Sequence, residues 1–311
     1  MPGGLRDSVA RIFGAEGERW LKRLPRLLRA CIEKWSLSDC SPCEEMSINF
    51  VCRARSPDFG RVVLKVGVPH PELFTEMRAL GRYGGRGICR CWDCDEDLGA
   101  MVLEQIVPGR RLRGVRRQVD RIEVAAGLAR ILLRPAGDDD DDFPPVSELA
   151  RRAFGRLRNR RRIEPRMLAV VRAAEGLLDE MNSDRQWFLH GDLHHDNILQ
   201  SGSDGWKAID PKGQIGPASM QAGRFIINEL DMLDPARWDA ALGAMTAAFG
   251  AALGAAEEAV AKCAFLDRTL SACWTLEEYV EQDRADDLDQ CEFLMRRGLN
   301  WSQNGQFEPA E

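Results

Sequence analysis

The sequence predicts an α+β chain in two lobes, a small β-rich lobe followed by a larger, mainly helical one. Residues 47 to 66 and 88 to 106 carry short β-branched runs separated by turn residues. Beyond residue 109 apolar positions recur mostly at helical spacing. Pro108-Gly109 breaks the chain between these two textures. The boundary is therefore expected there, with an N-terminal lobe over 1–107 and a C-terminal lobe over 108–311.

The elements follow in order. Trp20, Leu21, Leu24, Leu27, Leu28, Cys31, Ile32 and Trp35 form a helical stripe, which Pro25 predicts to be kinked or split. A strand over 48–52, a turn over 56–60 and a strand over 62–66 make a hairpin. Pro69 and Pro71 stop it, and a helix over 72–82 ends at Gly84-Gly85. A second β pair, 88–94 and 100–106, turns at 95–99. Helices are expected over 120–133, 151–162 and 165–181, and throughout 235–295. The acidic run 138–142 reads as a solvated loop, and 302–311 as a frayed tail.

At 311 residues and 44% hydrophobic content, the chain can bury a full core. Its formal charge of −6 argues against general nucleic-acid binding and fits a cationic ligand better. The N-terminus lacks the apolar stretch of a secretory signal, and no segment reads as a membrane span. Ten cysteines without an export signal are expected to be reduced thiols of a cytoplasmic protein. Cys40/Cys43 and Cys91/Cys94 form two Cys-x-x-Cys pairs. Such pairs can hold structural zinc, but these lie far apart and lack knuckle glycines.

Three of the four histidines fall in His190-Gly191-Asp192-Leu193-His194-His195-Asp196-Asn197. Short apolar runs lead in and out, the usual setting of a catalytic loop. Two chemistries compete. A metallohydrolase needs further ligands, yet only His70 remains among the histidines. Phosphoryl transfer needs an Asp to accept a hydroxyl proton and an Asn five positions on to hold magnesium, which is the spacing of Asp192 and Asn197. It also needs a carboxylate after a following hairpin, and Asp210 stands there.

Lys65, alone among apolar strand residues, is the candidate phosphate-binding lysine, and Glu76 the carboxylate that orients it. An edge-strand lysine snorkelling to water is the alternative. The phosphate loop would fall near residues 45–49. It has no glycine, leaving Ser47 and Asn49 as donors. Adenine is expected on the connector, through backbone groups of Glu104 and Ile106. Together these features form the layout of a protein-kinase-like fold.

The chain resembles the aminoglycoside phosphotransferases, specifically the streptomycin 6-phosphotransferase (aminoglycoside/hydroxyurea resistance kinase) branch. The likeness rests on His190 to Leu199 and on Trp206-Lys207-Ala208-Ile209-Asp210-Pro211-Lys212-Gly213. Val63-Leu64-Lys65-Val66, Glu76-Met77-Arg78 and Met101 to Gly109 are consistent with it. The resemblance implies transfer of the ATP γ-phosphoryl group to a hydroxyl of a small molecule, with a cationic aminoglycoside such as streptomycin leading. It makes Asp192 the catalytic base, Asn197 and Asp210 the Mg2+ ligands, Lys65 the α/β-phosphate contact and Glu76 its partner. His190 becomes a structural brace, and His194 and His195 acquire no necessary role. Many relatives carry two further acids after the metal-binding Asp, where this chain reads Gly216-Pro217-Ala218-Ser219-Met220-Gln221-Ala222-Gly223-Arg224. Acceptor placement is expected to differ accordingly. The acidic segment Glu277, Glu278, Asp283, Asp286 and Asp287 is a candidate lining for a cationic acceptor, or simply a charged helical surface. Other readings are a kinase of another hydroxylated metabolite or sugar amine, and a nucleotide-binding pseudokinase-like module.

Overall fold

The computed structural model describes residues 3–44, 46–137, 140–160, 163–202, 205–278 and 285–299. The chain divides into two compact units, Met1–Arg110 with Leu199–Lys212, and Arg111–Ile198 with Gly213–Glu311.

The first unit is built on an antiparallel sheet of β1 (Ser38–Pro42), β2 (Phe50–Ser56), β3 (Gly60–Val66), β4 (Cys91–Asp95) and β5 (Ala100–Glu104), in the order β1-β2-β3-β5-β4. Strand alternation sends Val62, Leu64 and Val66 to one face, where they pack with Leu5, Val9 and Trp20 of α1 (Gly3–Lys34). Burying such side chains stabilises the unit by about 1.5–3 kcal/mol each. Lys65 points to the other face, toward α2 (Pro71–Tyr83). The helix α1 passes through Pro25, and its break lies instead at Gly14 (φ 52°, ψ −132°), a conformation that only glycine adopts readily. The strand β1 has no apolar alternation and is exposed throughout, so nothing in its pattern announced it.

The hairpin of β9 (Ile198–Ser201) and β10 (Gly205–Ala208) forms a small sheet with β6 (Pro108–Arg111), in the order β10-β9-β6. A division at 107/108 would assign this hairpin wholly to the second half of the chain. Residues 199–212 group instead with the first unit, because Ala208 bonds Gly87 and Cys89 through backbone (2.9 Å each).

The second unit holds α3 (Gln118–Leu132), α4 (Val146–Arg158), α5 (Pro165–Ser183), α6 (Met220–Leu230), α7 (Trp238–Leu253), α8 (Glu257–Glu278) and α9 (Ala285–Leu299). A three-stranded sheet runs in the order β11 (Gln214–Pro217), β8 (Gln186–Leu189), β7 (Arg134–Pro135). Phe154, Phe188, Phe225, Phe249 and Phe265 are fully buried at its core. The expected continuous helix over 235–295 is interrupted, since Gly254 (φ 65°) ends α7 in the left-handed region. Asp140 of the acidic run is buried rather than solvated, accepting from the Gly137 amide at 2.9 Å; Asp138 and Asp139 lie outside the described residues, as does the tail 302–311. Among the described residues no single helix is long and apolar enough to cross a membrane.

Candidate active site

The first unit contributes a charge cluster. Lys65 Nζ donates to Glu76 Oε1 at 2.6 Å, to Glu76 Oε2 at 2.9 Å and to Asp210 Oδ1 at 3.1 Å. The snorkelling alternative does not hold, because Lys65 is buried. Burial alone would lower its pKa, but Asp210 and then Glu76 outweigh that and hold the ammonium above the usual lysine range. Burial pushes the Glu76 carboxyl up to about 7, with Lys65 opposing and the Asp210 charge adding to the rise. Asp210 follows β10 in a left-handed conformation (φ 56°), an uncommon backbone state for a residue with a side chain.

The expected nucleotide contacts also lie in this unit. Glu104 ends β5, its carboxylate paired with Lys207 (2.6 and 2.7 Å) and its amide donating to Arg90 O at 2.8 Å. That leaves its carbonyl, not its amide or side chain, for a base. Ile106 is buried two residues further on. Ser47 is exposed. Asn49 is turned inward, its Oδ1 buried without a hydrogen bond and packed so closely on Gly67 that a Cβ there would lie 2.3 Å away.

The second unit holds the loop between β8 and β9. Gly191 (φ 79°) turns it, and a Cβ there would come within 2.8 Å of the Gln214 side chain. The Asp192 amide donates to His190 Nδ1 at 3.2 Å, and Asn197 Nδ2 donates to the Asp192 carbonyl at 3.0 Å. The His190 amide donates to Gln221 Oε1 at 2.9 Å. Asn197 Nδ2 is thus committed to the loop, and its Oδ1 is the oxygen a cation would take. Arg113 clamps Asp196 in a two-pronged bond, Nε to Oδ1 at 2.9 Å and Nη2 to Oδ2 at 2.8 Å.

His195, given no role from the motif, is fully buried and stacks on Phe225. Its Nε2 donates to Glu229 Oε2 at 2.7 Å, and Arg121 Nε donates to the same oxygen at 3.0 Å. Burial opposes ionisation of Glu229, but these hydrogen bonds hold its carboxyl down to about 2. Burial also lowers the His194 pKa, against the pull of Asp192, so His194 is neutral at neutral pH.

Asp192 lines a narrow cleft whose other polar lining is Gln214, Gln221, Arg224 and Asp267 and whose aromatic wall is Trp274. Arg224 Nε lies 3.4 Å from Asp192 Oδ1, and Nη2 donates to Asp267 Oδ1 at 3.0 Å. Sequence reasoning missed Arg224, Asp267, Trp274, Glu229 and Arg121. The available signal was a single arginine in an otherwise uncharged stretch, Met220 to Ile227. Of the acidic segment, Asp287 pairs with Arg268 and so is not a free carboxylate. Asp283 and the side chains of Glu277, Glu278 and Asp286 lie outside the described residues. The ten cysteines are free thiols, and among the described residues no three His, Cys, Asp or Glu side chains group to hold a metal.

A five-stranded antiparallel sheet bearing a Lys–Glu pair, with a helical unit carrying the catalytic loop, defines the protein-kinase-like fold. The solved structure of aminoglycoside phosphotransferase APH(4)-Ia shares it, at a TM-score of 0.61 and 13% identity over 88% of this chain and 99% of that one. The chain belongs to the aminoglycoside/hydroxyurea antibiotic resistance kinase family, whose model matches residues 42–278. It is 28% identical to a streptomycin 6-kinase of Streptomyces griseus over 224 residues, covering 70% of this chain and 71% of that protein. It is 29% identical to a hydroxyurea phosphotransferase of Kitasatospora aureofaciens over 237 residues, covering 73% and 68%.

Proposed function

We propose that the protein is a Mg-ATP-dependent phosphotransferase that moves the γ-phosphoryl group to a hydroxyl of a small-molecule antibiotic, with streptomycin or a related aminoglycoside as the leading acceptor. The observation that carries this is Asp192, whose backbone amide and carbonyl are held by His190 and Asn197 while its side chain lines a cleft. Kinship with a streptomycin 6-kinase and a hydroxyurea phosphotransferase supports the acceptor class.

The acceptor hydroxyl gives its proton to the Asp192 carboxylate as its oxygen bonds the γ-phosphorus, and the bond from phosphorus to the ADP oxygen breaks. Lys65, held by Glu76, contacts the α- and β-phosphates. Adenine binds along the connector, at the Glu104 carbonyl and Ile106. Ser47 and Asn49 are the side-chain donors of the phosphate loop. The side-chain oxygens of Asn197 and Asp210 are hard donors that would suit Mg2+, which would neutralise phosphate charge. His190 braces the loop. An ATP-dependent enzyme with ten free thiols fits the cytoplasm.

Asp192→Asn tests the reading. Transfer to any acceptor should fall by roughly 10²–10⁴-fold while Mg-ATP binding, followed by calorimetry, persists. Full activity in that variant would sink the assignment. Screening ADP release over aminoglycosides, hydroxyurea and hydroxylated metabolites, with ATP and GTP in parallel, identifies the acceptor. A chain that binds no Mg-ATP is instead the pseudokinase-like module.

A further inference from the structure

Arg224 lies on α6 with its side chain only 15% exposed, and it is held from several sides. Nη2 donates to Asp267, Nη1 to Ser271 Oγ at 3.3 Å, and the guanidinium lies 5.8 Å from the centre of the Trp274 ring. Gly223 permits this, since a Cβ there would come within 2.8 Å of Asp267 Oδ2. Arg224 Nε is buried without a hydrogen bond, 3.4 Å from Asp192 Oδ1. The seat beside the catalytic carboxylate, bounded by two acids and an indole, is therefore already filled by a guanidinium of the chain itself.

We infer that Arg224 is a specificity-determining residue that keeps cationic groups of the acceptor away from Asp192 and selects an uncharged, hydroxylated part of it. This rests on the reading of Asp192 as the proton acceptor. Like charges a few ångströms apart in a partly desolvated cleft repel strongly. A cation entering here meets a fixed guanidinium whose counter-charges are committed. A neutral hydroxyl or amide oxygen carries no charge for the guanidinium to repel, and the amide side chains of Gln214 and Gln221 line the same cleft. The net negative charge of the chain points toward a cationic ligand, but beside Asp192 the position such a group would take is held by the Arg224 guanidinium.

The probes are streptomycin, which is cationic, and hydroxyurea, which is neutral, used with the full chain. In Arg224→Gln the ratio of kcat/KM for streptomycin over hydroxyurea should rise about tenfold or more, and streptomycin should bind about tenfold tighter by calorimetry. Arg224→Lys, which keeps the charge, should hold the wild-type ratio within about threefold. An unchanged ratio in Arg224→Gln, or the same change in both variants, overturns the inference, because a merely structural role predicts equal losses for both acceptors. If the wild type phosphorylates neither probe, the acceptor reading fails while the streptomycin dissociation constants still decide the role of Arg224. Should Arg224→Gln misfold by stranding Asp267, Arg224→Gln/Asp267→Asn removes the pair together and is read the same way. Failure of that variant to bind streptomycin more tightly than wild type overturns the inference.

Discussion

Two buried glutamates, one in each unit, meet cations and end in opposite states. Glu76 shares its ammonium with a second carboxylate, Asp210, so burial and like charge push its carboxyl up to about 7. Glu229 has its two oxygens covered by donors from Arg121 and His195 with no competing acid bonded to them, and it is held down to about 2. The first arrangement leaves one ammonium shared between two carboxylates, which suits the proposed phosphate and metal contacts. The second is a closed brace beneath the catalytic loop. Burial pushes both carboxyls up, and donor count relative to local charge decides whether that push is overcome.

The largest effect should come from breaking the brace. Arg121→Met strands Glu229 with one donor and should cost about 3–5 kcal/mol, read by urea denaturation. Lowering the pH attacks the same carboxylate. Its folded pKa of about 2 lies below the ordinary value of 4.5, so its contribution is complete above about pH 4.5 and drains away as pH falls toward 2. The loss is on the order of 3 kcal/mol, and Tm should drop more between pH 5 and pH 3 in the wild type than in Glu229→Gln. Equal drops would show that Glu229 is not held down. Lys65→Met should have the smallest effect on stability, about 1–2 kcal/mol, because Glu76 can take a proton instead of remaining an unpaired charge. The same variant should raise the KM for ATP by about tenfold or more, since the proposed phosphate contact is gone. If Lys65→Met destabilises as much as Arg121→Met, the contrast between the two glutamates collapses.

Much of the site was legible because its spacings are local. Asp192 and Asn197 are five positions apart, and folding joins them through Asn197 Nδ2, which donates to the Asp192 carbonyl at 3.0 Å and to Oδ2 at 3.4 Å. Lys65 and Glu76 were legible as a lone cation in an apolar strand followed by an acid on the next helix. The strand β1 was not legible, because an exposed edge needs no apolar alternation. Nor was the continuity of α1 through Pro25, which packing of Trp20, Leu24 and Leu27 against the sheet decides against local propensity. His195 carried no signal of its partner, since Arg121 and Glu229 stand 108 positions apart and meet only when α3 packs near α6.

By itself the sequence determined the fold class, through periodicity, and the family, through its motifs, and it named the candidate site residues through short-range spacing. Only the tertiary structure decided what surrounds them. The charge beside Asp192 comes from α6 and α8, through Arg224 and Asp267, and no local pattern announces that pairing. Electrostatics in a buried cleft depends on distances between side chains from remote segments, and those distances exist only once the helices have packed.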